Sequence, residues 1–154
     1  MTAFGIVLLQ LLVAVPALAQ VPRCTILNSG IFRDGAAYGS REAAATPGGV
    51  EFLVHPGATI EQVDRIPARL GVMFGVVHRF DGIPAGGLIA AVIRHPPLPA
   101  REGGTMKESL LRKEPDSSAT AFRFDRAEEV MPGEWTFEFQ YESHVLCRKT
   151  FIVD

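Results

Sequence analysis

The sequence is poor in lysine and has no large excess of charge of either sign. Three lysines stand against twelve arginines, and the formal net charge is −2. The arginines are scattered, mostly beside acidic residues, and no run of charged residues is longer than three. Proteins that bind nucleic acids usually carry a basic stripe, and binding to a membrane surface usually needs a polybasic cluster. We therefore expect neither nucleic acid nor a membrane surface as a partner.

Sequence motifs for catalysis are also missing. No serine lies in a Gly-x-Ser-x-Gly or Ser-x-x-Lys motif, which mark two common classes of serine nucleophile. The glycine pairs at 86–87 and 103–104 are not followed by a P-loop lysine. The carboxylates of Glu128, Glu129 and Glu134 lie next to a turn, where solvated charge is their usual role. We predict no catalytic residues, no cofactor and no enzymatic activity.

Four histidines, at positions 55, 78, 95 and 144, raise the question of a metal site. None is followed two or four positions later by a ligand-type residue, whereas zinc sites usually have closely spaced ligands. His55 and His95 both precede proline, so we expect them to fix turns by hydrogen bonding. His78 lies in an apolar pattern and is expected in the core. We predict no metal ligands and keep a metal-binding domain as the third functional hypothesis.

The chain has only two cysteines, Cys24 and Cys147, and no Cys-x-x-Cys motif. They lie near the two ends of the chain. In an oxidising compartment, two cysteines most simply form one disulfide. Two buried free thiols are the alternative. A redox role is not expected, because no neighbouring cysteine lowers a thiol pKa.

The one long apolar run is at the N-terminus, from Gly5 to Leu18. It ends in Ala17-Leu18-Ala19, the small-x-small pattern of a signal-peptidase site. The run is shorter than the roughly twenty residues of a transmembrane helix. We predict a signal peptide over 1–19 and a single domain over 20–154, with no stable membrane span after cleavage. An uncleaved N-terminal anchor is the alternative.

The most regular pattern lies near the C-terminus. Trp135, Phe137, Phe139 and Tyr141 share one parity, and polar residues occupy the other. Successive side chains of a strand point to opposite faces, so this alternation predicts a strand with one buried face. Large rings on one face can dominate a small core. We predict Trp135, Phe137 and Phe139 in the core, rather than on a surface that stacks carbohydrate.

Further segments of the chain also read as strands. The stretch from Leu70 to Phe80 alternates, which places Phe74 on the apolar face of a central strand. Residues 33–49 read as a loop with at most a short edge strand, 59–67 have some helical spacing that Pro67 ends, and 105–111 are ambiguous. The other predicted strands cover 24–32, 50–54, 88–93, 121–125, 145–147 and 151–153. With turn signals between them, they predict an all-β fold: a two-sheet antiparallel immunoglobulin-like sandwich of about seven strands.

Four segments, in order, resemble the bacterial domain of unknown function DUF3859. The Pro-Gly-Glu-Trp-Thr-Phe run closed by Lys-Thr-Phe is the most specific part of this resemblance. The four segments are 66–76, Arg94-His95-Pro96-Pro97, 130–137 and 149–153. The resemblance spans most of the chain after residue 23. It implies a small exported β domain of Gram-negative bacteria, with no established activity and no catalytic residues to carry over.

These observations support three functional hypotheses. The first is a non-catalytic protein-binding or assembly module of the cell envelope, secreted and periplasmic, with an unknown envelope protein or glycan as its partner. The second is a carbohydrate- or lipid-binding periplasmic domain, which an open apolar cavity between the sheets would favour. Four arginines suggest a surface for an acidic partner: Arg94, Arg101, Arg123 and Arg126. We favour the alternative, in which they form a solvated face without a partner.

Overall fold

The computed structural model describes residues 20–154, which form eleven strands and one turn of 3-10 helix, Ala127–Glu129. The strands are β1 (Arg23–Phe32), β2 (Ala37–Glu42), β3 (Val50–Val54), β4 (Ile60–Gln62), β5 (Arg65–Ile66), β6 (Met73–Asp81), β7 (Ile89–Pro99), β8 (Thr105–Lys113), β9 (Ala119–Arg123), β10 (Gly133–Tyr141) and β11 (His144–Val153).

The strands form two facing sheets and a separate hairpin. Sheet 1 has the order β4-β1-β6-β9, and sheet 2 has the order β5-β11-β10-β7-β8. Strands β2 and β3 pair only with each other. All strand pairs are antiparallel except β5 with β11, which is parallel. The architecture is therefore a two-layer sandwich with an additional hairpin.

A cluster of aromatic rings fills the space between the two sheets. Phe74 of β6 lies at its centre, with its ring centroid 5.5 Å from those of Trp135 and Phe151 and 5.7 Å from that of Phe137. These three pairs have edge-to-face geometry, which the quadrupoles of aromatic rings favour. Phe139 is fully buried further along β10. The four residues predicted for the core thus all lie between the sheets.

The β2–β3 hairpin packs across one side of the sandwich. The outer face of sheet 1 carries a second apolar cluster, and the Phe52 and Val54 side chains of β3 pack against it. The buried members of this cluster are Phe32, Ala36, Ile60, Met73 and Ala121. The hairpin therefore buries a face of sheet 1 that would otherwise meet solvent.

Cys24 of β1 and Cys147 of β11 form a disulfide, with their Cα atoms 5.6 Å apart. The disulfide was predicted and the structure contains it. Because β1 belongs to sheet 1 and β11 to sheet 2, the bond joins the two layers of the sandwich covalently. It links residues that are 123 positions apart in the sequence.

The prediction of about seven strands was too low for the described residues. Half of the difference comes from short strands that pair with the ends of long ones: β4 with β1, and β5 with β11. The other half is β2 and β8, which lie in the segments that the sequence left open, 33–49 and 105–111. The sequence of residues 59–67, which contains β4 and β5, indicated some helical spacing that ends at Pro67. The structure has two short strands there, and Pro67 directly follows β5. Strand β7 also continues to Pro99, whereas the sequence predicted an end near Ile93. A register shift between Arg94 and Leu98 accommodates its prolines, since prolines in sheets occur at edges and bulges.

Gly30 and Gly75 are neighbours in the β1–β6 pair and permit close approach of further strands. Gly30 has a φ of 143°, and a Cβ at this position would clash with the carbonyl oxygen of Glu61. Gly75 has a φ of 157°, and a Cβ there would clash with the carbonyl oxygen of Thr120. Glycine is therefore required where β4 and β9 flank the central pair.

The predicted signal peptide, residues 1–19, lies outside the described residues. Among residues 20–154, no helix is both long and apolar enough to cross a membrane.

Substitution of Trp135 by alanine tests the importance of the aromatic core. The side chain is fully buried, and its Nε1 donates a hydrogen bond to the carbonyl oxygen of Met131 at 3.0 Å. We expect Trp135→Ala to lower the free energy of unfolding by about 3–5 kcal/mol. Urea melts followed by circular dichroism measure the change. Glu134→Ala, at the exposed neighbouring position, should change stability by less than about 0.5 kcal/mol. A loss below about 1 kcal/mol for Trp135→Ala would contradict the burial of the ring.

Removal of the disulfide tests its contribution to stability. For a closed loop of this length, the chain-entropy model predicts a loss of about 4–5 kcal/mol in the variant that combines Cys24→Ser with Cys147→Ser. Denaturant melts of the oxidised protein and of this variant provide the comparison. Mass spectrometry after alkylation, with and without reductant, supplies the control. Uptake of two alkyl groups by the native protein without reductant would contradict the bond.

Candidate functional site

A buried ion pair anchors the β2–β3 hairpin to the edge of sheet 2. Lys113 of β8 and Glu51 of β3 are in contact, and their side chains are only 6% and 3% exposed. Arg41 of β2 donates from its Nε to the same carboxylate at 2.7 Å, and this hydrogen bond raises the pKa of Arg41. Breaking one member of a buried pair leaves an uncompensated charge. The hairpin is therefore held at a defined position between the edges of the two sheets.

Beneath the hairpin is an apolar cavity of about 100 Å³. We call it the hairpin cavity. Both sheets contribute to its walls, because it lies at the side of the sandwich where the edge strands β8 and β9 face the hairpin. The apolar wall residues are Val50 and Phe52 of β3, Ile93 of β7, Leu111 of β8, and Ala121 and Phe122 of β9. Ser109, Thr46 and Gly48 complete the walls.

Charged residues line the mouth of the hairpin cavity, and they are paired with one another. Arg123 donates to Asp125 at 2.6 Å, and its guanidinium lies 4.1 Å from the centroid of the Phe52 ring. Arg126 donates from its Nε to Glu129 at 3.0 Å. The mouth thus has two positive and two negative side chains, with no free excess of either sign.

The carboxylate of Glu129 organises the loop on one side of the mouth. It is 2% exposed, and it accepts hydrogen bonds from the backbone amides of Asp125 and Arg126 at 3.0 and 3.1 Å. Arg126 also reaches the carbonyl oxygens of Pro47 and Pro99. The carboxylate that the sequence placed in solvent is therefore a buried structural acceptor.

Ser109 and His95 form a buried hydrogen-bonded pair at the cavity wall. His95 Nδ1 lies 2.8 Å from the carbonyl oxygen of Pro96, so it must carry the proton and donate. Burial lowers the pKa of His95 and keeps the ring neutral, so its Nε2 accepts from the Ser109 hydroxyl at 3.0 Å. The expectation that His95 fixes a turn was wrong, since it lies within β7.

This pair resembles the nucleophile and base of a hydrolase only in part. Acyl transfer also needs donors that stabilise the oxyanion. The two cationic side chains that line the same cavity as Ser109, Arg123 and Arg126, are already held by Asp125 and Glu129. Ser109 is fully buried as well. The arrangement is that of a buried serine and histidine that satisfy each other's hydrogen-bonding groups in the core.

His78 is the second buried histidine. It is 1% exposed and lies against the rings of Phe80 and Phe139, with centroids 4.5 and 4.6 Å away. Its Nε2 is hydrogen-bonded to Thr120 Oγ1 at 3.0 Å, and Nδ1 has no hydrogen-bond partner among the described residues. Burial, with a further contribution from the charge of Lys113, lowers the pKa of His78 to about 3.

The remaining sequence candidates do not assemble into a site. Among residues 20–154, no group of three metal-ligating side chains is close enough to hold an ion. His55 packs its ring against Tyr38 at the surface, with the centroids 4.9 Å apart. Arg94 forms ion pairs with Glu108 and Glu138. Like Arg123 and Arg126, it is therefore paired within the protein.

Further hollows border the hairpin on its outer flanks. One of them lies between the hairpin and the outer face of β8, where the exposed leucines Leu88 and Leu110 are found beside residues 43–45. Leu110 donates its backbone amide to the carbonyl oxygen of Ala45 at 2.8 Å, which joins this loop to the edge of the sheet. We call the hairpin, the hairpin cavity and these flanking hollows the hairpin face.

The hairpin face is not visible in the sequence, for a physical reason. Its walls come from residues as distant as Val50, Ser109 and Phe122, which only the folded topology brings together. The only local signals were the alternation in 50–54, which predicted β3, and the clean strand at 121–125. Neither signal indicates that the two strands share a cavity.

The comparisons with known proteins agree with this architecture. Residues 20–153 match the sequence model of a family described as a domain of unknown function, DUF3859. No curated protein matches the chain. The fold is similar to the crystal structure of an immunoglobulin-like protein from Pseudomonas aeruginosa, with a TM-score of 0.67 and 19% sequence identity over 90% of this chain and 100% of that chain. The predicted all-β, immunoglobulin-like fold is thereby confirmed.

The low pKa of His78 predicts loss of stability in mild acid. The unfolded chain binds a proton near pH 6.5, while the folded protein does so only near pH 3. The free energy of unfolding should therefore fall as the pH drops through this window, by an amount on the order of 2 kcal/mol at pH 4.5. Urea melts at pH 7 and 4.5 measure the loss. His78→Gln should reduce this loss, and the exposed control His144→Gln should not. Equal losses in both variants would contradict the assignment.

Proposed function

The chain belongs to the DUF3859 family, and we propose that it serves in the cell envelope as an exported, non-catalytic binding module. In this proposal it binds a partner protein through the hairpin face. An immunoglobulin-like fold does not by itself define an activity, so the function has to be inferred from the surface features of this chain.

The observation that carries the proposal is the concentration of hollows around the β2–β3 hairpin. The hairpin cavity lies beneath it, and hollows lined by Leu110, Arg101 or Tyr38 border its flanks. Binding sites are usually concave and mainly apolar, with a few polar groups at fixed positions. The hairpin cavity has this composition, and its apolar groups lie beside paired charges.

A binding role is supported further by the positions of the polar side chains. Ser109 is engaged by His95, and the carboxylate of Glu129 is engaged by Arg126 and by backbone amides. Groups that are fully used in holding the fold together are poorly placed to exchange protons with a substrate. We therefore propose recognition without a chemical step.

Export is part of the proposal. The Cys24–Cys147 disulfide is compatible with an oxidising compartment such as the periplasm, where such bonds persist. The predicted signal peptide at 1–19 supports the same location.

A lipid-binding domain is the second candidate, because the hairpin cavity is apolar. Its volume of about 100 Å³ is smaller than the ~150 Å³ of an engineered apolar cavity that binds benzene. A long acyl chain does not fit such a volume without displacement of the hairpin. The protein-binding role is therefore favoured.

A matched pair of surface variants tests the proposed face. Leu110 is 44% exposed on β8 beside the hairpin, and Ile152 is 38% exposed on β11, towards the opposite edge of sheet 2. Partners captured from envelope extract by the wild-type protein are identified by mass spectrometry, and their affinities are then measured with purified material. We expect Leu110→Arg to weaken the binding at least tenfold and Ile152→Arg to leave it within a factor of two.

Both variants should keep the wild-type circular dichroism spectrum and melting temperature, since both side chains are already partly in solvent. Equal loss of binding in the two variants would place the interface elsewhere. Absence of any saturable partner would contradict the binding role. Covalent labelling of Ser109 by a fluorophosphonate would contradict the non-catalytic one.

A further inference from the structure

We infer that the edge of β11 from His144 to Thr150, which no described strand covers, is a second protein-binding surface. It pairs with one extended segment of a partner protein, and this segment carries an acidic side chain next to Arg148. The edge lies across sheet 2 from the hairpin face and does not depend on it. Main-chain hydrogen bonds hold this partner, a binding mode that the proposed function does not include.

Strand β11 has one long edge without a neighbouring strand in the part of the chain that the structure describes. On one side, β10 pairs with it along its whole length, whereas β5 on the other side reaches only Ile152 and Val153. The amide of Ile152 donates to the carbonyl oxygen of Asp64 at 2.9 Å, so this amide points away from β10. Because backbone groups alternate along a strand, the N–H and C=O groups of Thr150 and Arg148 point the same way. Such a row of backbone donors and acceptors is a template for another extended chain.

The other edges of the two sheets are less suited to such pairing. The edges of β8 and β9 meet the hairpin, and in β8 the backbone groups of Leu110 and Arg112 already bond to it. A bulge at Leu27 interrupts the edge of β1 in its middle. Strands β4 and β5 have only three and two residues, and very short edge strands offer few groups for pairing. In β11 the bulge lies at Leu146, which leaves 147–150 regular.

A row of charged side chains on the outer face of sheet 2 indicates which segment fits this edge. From β8 to β11 the row contains Glu108, Arg94, Glu138 and Arg148, with alternating signs and contacts of 2.7, 3.4 and 3.5 Å. Arg148 ends the row with its side chain 62% exposed, and it shares the Glu138 carboxylate with Arg94 and Gln140. A guanidinium has five N–H donors, so Arg148 can bind a further carboxylate. An acidic side chain on the added strand continues the alternation.

The cations of β11 disfavour pairing of this edge with a second copy of the chain. A symmetric pairing centred on Arg148 would place two arginines opposite each other, and one centred on Lys149 would do the same with two lysines. Like charges directly opposite each other are destabilising. Lys149 is held by Asp64 at 2.6 Å, so Arg148 is the cation that meets a partner strand. An acidic segment is therefore a better occupant of the edge than β11 of another copy.

Synthetic peptides of alternating threonine and valine, long enough to cover 144–150, test the edge on the purified wild-type protein. The first peptide has glutamate at its centre, and two control peptides have glutamine or lysine there. NMR titration of isotope-labelled protein gives both the affinity and the location. We expect saturable binding of the glutamate peptide, with shifts of the Arg148 and Thr150 amides. Affinity should fall about threefold from glutamate to glutamine and about threefold again to lysine, as for cross-strand charge pairs.

N-methylation of the glutamate peptide separates main-chain pairing from simple charge attraction. Alternate amides of an extended peptide lie on its two edges, and only one edge can face β11. Methylation of alternate amides on that edge removes the donors and should abolish binding. Methylation of the same number of amides on the other edge should leave the affinity within a factor of two. Equal affinities of the two methylated peptides would overturn the inference.

Charge exchange at Arg148 locates the acidic side chain of the peptide. We expect Arg148→Glu to weaken binding of the glutamate peptide about tenfold and to strengthen binding of the lysine peptide. Arg148→Gln, which puts no like charge beside Glu138, should weaken the glutamate peptide about threefold and keeps the test valid if Arg148→Glu does not fold. The matched control is Arg112→Glu, at an exposed position of β8 on the other side of the same sheet, which should change no affinity more than twofold.

Three results would overturn the inference. The first is the absence of saturable binding of the glutamate peptide, and the second is unchanged affinity in Arg148→Gln. The third is dimerisation without peptide that shifts the Arg148 and Thr150 amides, which would make a second copy the occupant. Leu110→Arg should leave peptide binding unchanged, so the hairpin face and the β11 edge can fail independently.

Discussion

The contact on which the structure depends is the packing of Phe74 against the aromatic side chains of the opposite sheet. Phe74 belongs to sheet 1, and Trp135, Phe137 and Phe151 belong to sheet 2, so their edge-to-face contacts hold the two layers together. Each ring buries a large apolar area, and the geometry of the pairs adds to that burial. The polar pairs Ser109–His95 and His78–Thr120 border this cluster, and each joins neighbouring strands within one sheet.

The aromatic cluster does not fill the side of the sandwich where the edge strands β8 and β9 lie. There the β2–β3 hairpin contacts the edge strands β8 and β9 without pairing with either of them. Its attachment combines apolar packing of Phe52 and Val54 with the buried Lys113–Glu51 pair. A buried ion pair adds geometric specificity more reliably than net stability, which fits an element that must lie in one position. The hairpin cavity results from this arrangement.

The sequence predicted those parts of the fold whose signal is local. The alternation from Trp135 to Tyr141 and from Leu70 to Phe80 identified β10 and β6, because a strand with one buried face has a period of two residues. Strands β4 and β5 were missed because they contain three and two residues and exist only through pairing with β1 and β11. The cavity was not predictable at all, since the residues that form it are far apart in the chain.

The disulfide has a mechanical consequence. It joins residues near the start of β1 and within β11, so almost the whole sandwich lies inside the covalent loop. Tension applied on the two sides of the bridge passes through the sulfur atoms once the end of β11 has peeled away from β10. An unbridged chain of this size would lengthen by roughly 3.3–3.6 Å for every residue released. In the bridged domain, tension applied at points outside the loop does not extend residues 24–147, because the sulfur atoms carry it.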